Sequence, residues 1–289
     1  MTVWNLGSIN ADMVYAVPRL PVAGETIAAT GLARYLGGKG ANMSVAAARA
    51  AAHVRHIGAV GSDGRWAVER LLEYGVDTRH IETVDAPTGH AIVAVDARGE
   101  NQIIILPGAN RAIPGDLIAR ALTEASPGDI LLTQNETNGQ VDAAALARRM
   151  GLSVVQAAAP FDADAVRALL PMTDLLILNA VEAGQLQAAS GQGPADLGLR
   201  DVIVTRGADG ATWWHDGAAT DFAARKVMPV DTTGAGDTFT GYAVAGLDRG
   251  LPMGQAIAQA MIAASIMVTR PGTADVIPDL RDVRAVVGA

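Results

Sequence analysis

The chain has 289 residues, of which 50% are hydrophobic and 4% aromatic, and it contains no cysteine. A chain of this length and apolar content can bury one large core, so we predict a single domain over residues 1–289. The net charge of -8, without a cluster of basic residues, argues against a nucleic-acid partner, and the lack of cysteine excludes disulfides, thiolate metal sites and a cysteine nucleophile.

The N-terminal stretch MTVWNLGSIN has the pattern of an opening strand and lacks the basic flank and apolar segment of a signal peptide. Together with the absence of cysteine, this pattern predicts a cytoplasmic protein. The longest uncharged stretch, residues 250–269, is long enough to span a bilayer, but it carries Pro252, Gln255 and Gln259. We interpret it as a buried amphipathic helix and expect no membrane partner.

Short apolar runs alternate with helical segments through most of the sequence. The strand-like runs occupy residues 53–61, 128–134, 151–159, 173–179 and 200–207. Alanine-rich segments such as GANMSVAAARAAA (40–52) and VDAAALARRMG (141–151) lie between them. This alternation predicts an α/β fold with a central, mostly parallel sheet and helices on both faces.

Two stretches break the alternation, and we predict that they form strands outside the main sheet. Residues 12–35 are strand-like with prolines and a glycine as breaks, and residues 89–106 read as a hairpin that turns near Arg98 and Gly99. A further hairpin is predicted over residues 210–222, and the chain after it is predicted to be mainly helical.

Several familiar motifs are absent. The only Gly-Lys pair, Gly38-Lys39, is followed by glycine and not by the serine or threonine of a P-loop. A dinucleotide fingerprint fails because Gly234 and Gly236 are followed by Phe239 where the third glycine is needed. The five histidines show no metal-ligand spacing, and we predict that most lie at the surface or at strand ends: His53, His56, His80, His90 and His215.

The stretch DTTGAGDTFTG (231–241) places two glycines before an acid at the predicted start of a helix. Gly234 and Gly236 leave backbone N–H groups uncovered, and the positive end of the helix dipole favours an anion there. Asp237 lies in the first turn, where we expect its carboxylate to be ionised and able to accept a proton. An anion site beside a base suits phosphoryl transfer to an alcohol. The alternative is an ordinary strand-to-helix turn followed by an N-terminal helix acid.

Seven motifs follow one another along the chain. They are GSINAD (7–12), AGETI (23–27), GGKGAN (37–42), GENQIIILPGAN (99–110), LNAVEA (178–183), VTRGADG (204–210) and DTTGAGDTFTG (231–241). With this set the chain resembles the ribokinase, or PfkB-type carbohydrate kinase, family over essentially its whole length. The resemblance implies a three-layer α/β fold with a small β-sheet lid, which residues of about 12–35 and 89–106 would form. It also implies a homodimer through the lid.

The resemblance assigns the acceptor side of the site. The family's catalytic base falls on Asp237, and its anion hole falls on the backbone of Gly234, Ala235 and Gly236. Its sugar contacts fall on Asn10, Asp12, Gly38, Lys39, Asn42, Glu136 and Asp237. Amides, carboxylates and an ammonium group can hydrogen-bond a ring of hydroxyls from several sides. The alternatives are local roles, in which the asparagines and aspartates form turns or caps and the lysine is simply solvated.

On the nucleotide side, the resemblance implies ATP as the donor, with Mg²⁺. Asn179 and Glu182 match the family's N-x-x-E pattern, which is associated with Mg²⁺ and phosphate through water, and hard oxygen ligands suit this ion. Otherwise Asn179 is a strand-end cap and Glu182 is an exposed helix acid. Thr205 and Gly207, together with Gly236, match the segments that pass along the nucleotide phosphates.

The family also holds a monovalent cation, usually K⁺, beside the anion hole. The matching residues here are Asp231, Thr233, Arg270 and Gly272. Val276 stands where a serine hydroxyl is expected, so the resemblance implies an altered K⁺ site. Met261 stands where ribokinases often place an asparagine near the adenine, so the base contacts also differ.

The leading hypothesis is an ATP-dependent kinase that phosphorylates the primary hydroxyl of a pentose or related sugar, with ribose first. A nucleoside kinase of the same family is the alternative, and it would need lid residues that sandwich a base, for which Met13, Tyr15 and His90 are the candidates. A catalytically silent sugar- or nucleotide-sensing protein is a second alternative. The intact GAGD motif argues against a silent protein, since such a protein has no chemical need for Asp237.

Overall fold

The computed structural model describes residues 1–287, which form two sheets and their covering helices. The strands are β1 (Thr2–Leu6), β2 (Asn10–Ala16), β3 (Gly31–Gly37), β4 (His53–Val60), β5 (Asp77–Thr83), β6 (Gly89–Val95), β7 (Asn101–Leu106), β8 (Ile130–Gln134), β9 (Ser153–Ala157), β10 (Leu175–Asn179), β11 (Asp201–Thr205), β12 (Ala211–His215) and β13 (Ala218–Phe222). The helices are α1 (Lys39–Arg49), α2 (Arg65–Glu73), α3 (Gly115–Leu122), α4 (Gln140–Arg149), α5 (Ala163–Leu169), α6 (Ala180–Ser190), α7 (Ala235–Asp248), α8 (Met253–Met267) and α9 (Leu280–Val287).

The main sheet has nine strands in the order β13-β12-β11-β10-β9-β8-β1-β4-β5. The seven strands from β11 to β5 are parallel, and the hairpin β12–β13 adds an antiparallel edge. The chain starts at β1 in the middle of the sheet, extends it first through β4 and β5, and then extends the other side from β8. The strand order therefore reverses between β1 and β8, and in open α/β sheets ligands bind beyond the carboxyl ends of strands at such a point.

The side chains of successive strand residues pack into different cores on the two faces of the main sheet. On β1, Val3 belongs to a core shared with α1, α7 and α8, whereas Trp4 and Leu6 belong to a core shared with α3 and α4. These residues are at most 1% exposed. The fold is thus the predicted three-layer arrangement, with helices on both faces of a mostly parallel sheet.

The two stretches predicted to lie outside the main sheet form a second sheet, which we call the small sheet, with the order β3-β2-β6-β7. Its central pair, β2 and β6, is parallel, and the two outer pairs are antiparallel. The β6–β7 hairpin turns where the Gly99 amide donates to the Asp96 carbonyl. The strands β2 and β3 extend two residues beyond each end of the predicted stretch 12–35, and residues 17–30 between them contain no strand.

Three of the five histidines lie at or next to strand ends, as predicted for most of them: His53, His90 and His215. His56 is fully buried on β4, and His80 is 8% exposed on β5. Strand β5 lacks a long apolar run, since its sequence is DTRHIET, and the hydrophobic pattern did not identify it. Within residues 1–287, no helix combines the length and the apolar character that a membrane crossing requires.

Candidate active site

The first part of the candidate site lies where β1 ends beside the start of α1. Ser8 follows β1, its carbonyl accepts a hydrogen bond from the Ala41 amide (2.8 Å), and its hydroxyl accepts one from the Gly40 amide (3.1 Å). Gly38 precedes the helix with a φ of 93°, and a Cβ at this position would lie 2.8 Å from the Ser8 carbonyl oxygen. Because only glycine accepts both this angle and this contact, Gly38 lets Lys39 begin the helix directly beside the loop after β1.

Glu136, which follows β8, closes this corner of the site. Its Oε2 accepts hydrogen bonds from the Ser8 hydroxyl and from the Lys39 amide, the latter at 3.1 Å. Asn10 is positioned from another direction, because the Asn110 side chain donates to Asn10 Oδ1 (2.7 Å) and accepts from the Ile9 amide (2.8 Å). Four chain segments that are far apart in sequence therefore meet at the switch point between β1 and β8.

Asp12 extends from strand β2 of the small sheet toward the same place. Burial raises the pKa of its carboxyl to about 6, with further contributions from the negative charges of Glu136 and Asp237. Lys39 lies among these acids, and the Asp237 carboxylate raises the pKa of its ammonium group. The structure thus groups three carboxylates around one lysine, as expected of a site that receives a hydroxyl-rich molecule and a charged group.

Asp237 lies in the first turn of α7 and is 7% exposed. The Asn42 side chain donates to Asp237 Oδ2 at 2.9 Å, and Asn42 Oδ1 is buried without a hydrogen-bond partner in the described part of the chain. Burial raises the pKa of the Asp237 carboxyl, and it outweighs the Lys39 charge and the Asn42 hydrogen bond, which lower it. This direction is opposite to the sequence-based expectation, which considered the helix dipole but not the burial.

The backbone before Asp237 has the form expected of an anion site. Gly234 has a left-handed φ of 77° and caps α7. The Ala235 amide donates to the Thr232 carbonyl (3.2 Å), whereas the Gly234 and Gly236 amides have no acceptor among the described residues. A Cβ at Gly236 would meet nothing within 4 Å. Two N–H groups at the positive end of a 14-residue helix are therefore free for a negatively charged group.

A cavity of about 570 Å³ adjoins this backbone, and none of the residues that line it belongs to the small sheet. Its wall includes Thr205, Gly207, Ala235 and Gly236, so the segments predicted to follow the phosphates do come together there. The remaining wall is largely apolar and includes Val227, Pro229, Phe239, Met261, Ala264 and Val268. Met261 thus lies in the cavity wall and contributes an apolar thioether side chain to it.

Asn179 and Glu182 form a capping box at the start of α6. The Asn179 side chain accepts from the Glu182 amide (2.9 Å), and Glu182 Oε2 accepts from the Asn179 amide (2.8 Å). Glu182 is 9% exposed, so it is not the exposed helix acid of the alternative interpretation. Burial raises its pKa, and its charge interacts with Lys39 and Asp237, so the capping pair also borders the site.

The residues of the predicted K⁺ site come from two loops that contact each other. Asp231 accepts hydrogen bonds from the Gly272 amide (3.2 Å) and the Thr233 amide (2.9 Å). The Arg270 guanidinium donates to the Val276 carbonyl (3.4 Å). A direct hydrogen bond thus joins the loop that contains Asp231 to the loop that contains Gly272. Val276 contributes a carbonyl group to the second loop but no hydroxyl.

Sequence reasoning missed two polar residues that position the site. Ser8 lies inside the quoted motif GSINAD, and Asn110 ends the quoted motif GENQIIILPGAN, but neither was singled out. Ser8 directly follows Gly7, and Asn110 lies two residues after Gly108, so a polar residue close behind a glycine is the signal that could have identified them. Their long-range hydrogen bonds, 128 and 100 residues apart in sequence, depend on the fold.

Comparison with known proteins places the chain among these kinases. The model of the pfkB family of carbohydrate kinases matches residues 2–280. The chain belongs to this family. It is 35% identical to the ribokinase of Haemophilus influenzae over 291 residues, which cover 96% of this chain and 95% of that protein. As a family member, it is a phosphotransferase with an alcohol group as acceptor.

Solved structures of similar proteins have the same fold. The ribokinase of Thermotoga maritima superposes with a TM-score of 0.90 at 30% identity, covering 100% of this chain and 99% of that one. The ribokinase of Arabidopsis thaliana complexed with ribose and ATP gives 0.85 at 28% identity, covering 100% and 98%. A Burkholderia thailandensis nucleoside kinase in complex with inosine gives 0.85 at 20% identity, covering 99% and 95%, and this likeness concerns the fold alone.

Proposed function

We propose that the chain is an ATP-dependent sugar kinase that transfers the γ-phosphate to the primary hydroxyl of a pentose, with ribose as the expected acceptor. The observation that carries this proposal is the position of Asp237, which contacts Asn42 on the acceptor side and directly follows Gly236 of the cavity wall. Ribose and ATP are the ligands of the similar Arabidopsis enzyme, and relatives at 30–35% identity are ribokinases.

On the acceptor side, the sugar would bind among Asn10, Asp12, Lys39, Asn42 and Glu136. The unpaired Oδ1 of Asn42 is a buried acceptor for a sugar hydroxyl, which would satisfy it. One oxygen of Glu136 is already occupied by Ser8 and Lys39, which leaves the other for the substrate. Several directional contacts from a fixed backbone would hold one hydroxyl close to Asp237.

The chemical step would begin with the proton of that hydroxyl. Asp237 accepts the proton while the hydroxyl oxygen forms a bond to the γ-phosphorus and the bond from phosphorus to the ADP oxygen breaks. Burial raises the pKa of Asp237, which makes its carboxylate a stronger base than an exposed one. Asn42 holds this carboxylate in place through Oδ2.

Negative charge on the transferring group would be stabilised by the free amides of Gly234 and Gly236 and by the Lys39 ammonium. Mg²⁺, when bound with the nucleotide, supplies further neutralisation of the phosphate oxygens. Within residues 1–287, no three His, Cys, Asp or Glu side chains form a group that could hold a metal ion. The buried Glu182 carboxylate fits the usual case, in which Mg²⁺ takes one or two carboxylates together with phosphates and water.

We also propose that the two loops around Asp231 and Gly272 bind a monovalent cation such as K⁺. The carbonyl groups of these loops and the Asp231 carboxylate are suitable oxygen ligands. The cation would add positive charge behind the anion site. Because Val276 lacks a hydroxyl, we expect weaker activation by K⁺ than a site with serine would give.

Two further proposals concern the whole protein. We place it in the cytoplasm, as the cysteine-free sequence suggests. We also propose that the small sheet is a lid over the acceptor and that two copies of the chain associate through it. The lid role is supported by Asp12, which β2 carries into the site.

The nucleoside-kinase alternative is affected by the register of the small sheet. Met13 and Tyr15 lie on the face of β2 opposite to Asp12, because residues alternate along a strand, and His90 is paired with Ala11 on that same opposite face. The named candidates for a base sandwich therefore do not face the acceptor. Tyr35 lies on the face of Asp12, because the two residues are paired directly. Its aromatic ring could contact a base, and a nucleoside is therefore included in the test below.

The proposal is tested by an assay of ADP release with ribose, 2-deoxyribose, fructose and adenosine, each with and without K⁺. We expect the highest kcat/KM with ribose. A higher value with adenosine would favour a nucleoside kinase, and ligand binding without any ADP release would favour a silent sensor.

The Asp237→Asn substitution tests the mechanism. It keeps the size and the contact with Asn42 but removes the base, so kcat should fall by about 10³-fold while ribose binding by calorimetry changes little. Asp164→Asn, at an exposed position on α5 outside the site, is the control and should retain the wild-type turnover. An Asp237→Asn enzyme with a kcat near that of the wild type would contradict the role of this carboxylate.

A further inference from the structure

A network of polar side chains lies buried beneath the acceptor residues, and none of them belongs to the site described above. It consists of Asn5 on β1, Ser44 on α1, His56 on β4 and Gln134 on β8, and all four are 0% exposed. We call these four side chains the buried network. Strand positions at the centre of a three-layer fold are usually apolar, so this polar group needs an explanation.

Every link in the network is a normal hydrogen bond. Asn5 Nδ2 donates to the Gly40 carbonyl and to Ser44 Oγ, both at 2.8 Å, and Asn5 Oδ1 accepts from Gln134 Nε2 at 2.8 Å. His56 Nδ1 lies 2.8 Å from Ser44 Oγ, and His56 Nε2 lies 3.0 Å from the Gly7 carbonyl oxygen. Four elements of the fold are joined by this set of bonds.

The chemistry of the partners fixes the protons. A carbonyl oxygen can only accept, so His56 Nε2 carries the hydrogen and donates to Gly7. Burial lowers the pKa of His56 to about 4, so the ring is neutral at pH 7 and Nδ1 accepts. Ser44 therefore donates its hydroxyl hydrogen to His56 and accepts from Asn5. The network has one consistent arrangement and does not act as a switch at neutral pH.

The two backbone carbonyls at the ends of the network belong to the segments that build the acceptor site. Gly7 directly precedes Ser8, which contacts Glu136. Gly40 directly follows Lys39, and its own amide donates to Ser8. The two segments are so close that a Cβ at Gly7 would lie 2.6 Å from the Gly40 Cα. Any shift of His56 or Asn5 is thus transmitted to Ser8 and Lys39.

We propose that His56 is a positioning residue for the acceptor site, which acts by holding the Gly7 carbonyl and, through Ser44 and Asn5, the start of α1. The inference rests on the proposed sugar-kinase function for its kinetic part, but its structural part does not depend on any substrate. Loss of the imidazole leaves the Gly7 carbonyl without a donor and the Ser44 hydroxyl hydrogen without an acceptor in a dry interior, which favours a rearrangement of the two segments.

The test compares His56→Phe with a matched control, His80→Phe. His80 is also a buried histidine of the main sheet, but it lies on β5 beside Trp4, away from the acceptor residues. Hydrogen exchange of the full-length protein without ligands is measured on peptides that cover residues 5–12, 38–45 and 234–240. In His56→Phe we expect the first two to exchange at least 5-fold faster and the third to be unchanged. In His80→Phe all three should be unchanged.

Steady-state kinetics with ribose and ATP provide the second measurement. We expect His56→Phe to raise the KM for ribose about 10-fold with no more than a 2-fold change in the KM for ATP, because the cavity beside α7 does not contact the network. His56→Gln keeps an N–H group for the Gly7 carbonyl and should recover most of the loss. If the wild type does not phosphorylate ribose, the proposed function fails while the exchange result still decides the role of His56.

Three results would overturn the inference. They are unchanged exchange of residues 38–45 in His56→Phe, an equal rise of both KM values, and an equal effect of the control substitution. A spectroscopic check uses the ¹⁵N shifts of the His56 ring, which should show hydrogen on Nε2 alone and no titration between pH 8 and 5. A ring that titrates in this range would contradict the fixed arrangement of protons.

Discussion

Acidic side chains outnumber basic ones in the candidate site, and this imbalance has an energetic cost. Burial raises the pKa of Asp12, Asp237 and Glu182. Lys39 is the cation of the site, and its charge interacts with Asp237, Glu136 and Glu182. A raised pKa means that the ionised form is less stable in the folded protein than in the unfolded chain. The site thus stores unfavourable charge that bound substrate would relieve through hydrogen bonds.

The energetic cost of burying a charged carboxylate can be measured at Asp12. Its pKa rises from 3.8 to about 6 on folding, so the folded state binds more protons between these values and stability falls as the pH rises through this window. At pH 7 the ionised Asp12 costs up to about 3 kcal/mol. We therefore expect Asp12→Asn to raise the free energy of unfolding by about 1–3 kcal/mol at pH 7, and by little below pH 4, while it weakens ribose binding.

Urea denaturation at pH 4 and pH 7 checks this prediction. The control is Asp85→Asn, which alters an exposed aspartate outside the site and should change stability equally little at both pH values. If Asp12→Asn were no more stable than the wild type at pH 7, the burial of the charged Asp12 would not be costly as inferred.

At this scale the sequence predicted the local backbone before Asp237 better than the electrostatic state of its carboxyl. The glycines before Asp237 indicated a helix start, and the structure has one there. The ionisation of Asp237 could not be judged in the same way, because its pKa depends on the burial that α1 and Asn42 produce. Asn42 is 195 residues away in sequence, so no local pattern contains this information.

The start of α7 separates two roles of glycine within one element. Gly234 needs its side-chain-free backbone for folding, because its φ is 77° and a Cβ would lie 2.9 Å from the Met267 Cε. Gly236 does not, because a Cβ there would meet nothing within 4 Å and the residue lies inside the helix. Any requirement for glycine at position 236 should therefore come from the bound phosphate group.

The paired substitutions Gly234→Ala and Gly236→Ala test this separation. We expect Gly234→Ala to lower the free energy of unfolding by about 1–2 kcal/mol because of the strained angle. Gly236→Ala should leave the free energy of unfolding unchanged or raise it by up to about 1 kcal/mol. The same substitution should lower kcat at least 10-fold, because the added methyl group would occupy space at the cavity wall where we expect the phosphate group. Thermal unfolding and ADP release measure the two effects, and full activity of Gly236→Ala would contradict a phosphate contact there.

Other elements show why periodicity was only partly informative. The apolar runs identified the strands of the sheet centre, whereas β5, at the sheet edge, carries charged residues that pack only partly and was not identified. The capping box of α6 has a clear local signature, but the same two residues also border the acceptor site, and that second fact follows from the sheet order. Local patterns thus specified elements, and tertiary contacts specified which of them share a site.

At the scale of the whole molecule, the strand order explains why distant motifs meet. The loops after β1 and β8 are neighbours because the sheet grows in opposite directions from these strands. The small sheet begins only three residues after β1 ends, so it is attached directly to the acceptor corner. The sequence predicted a small sheet outside the main one, formed by two stretches of the chain, but its strand order and the exposure of its outer strand required the structure.

Strand β7 forms the outer edge of the small sheet, and all six of its residues are exposed. Ile103, Ile104 and Ile105 are 54%, 68% and 60% exposed, so the strand presents apolar side chains on both faces. A strand of this kind is normally covered on both faces, and an uncovered apolar edge favours association with another chain. This exposure supports a homodimer through the small sheet, in which each copy covers the edge of the other.

We therefore expect the wild type to sediment as a dimer at micromolar concentration and Ile104→Lys to sediment as a monomer, because the partner surface cannot solvate a lysine charge. The matched control is Val141→Lys, which places the same charge at a 45% exposed position on α4 and should remain dimeric. Both variants should keep the thermal stability of an exposed substitution, within about 0.5 kcal/mol per chain. A wild-type monomer, or a dimeric Ile104→Lys with unchanged affinity, would show that β7 is not the interface.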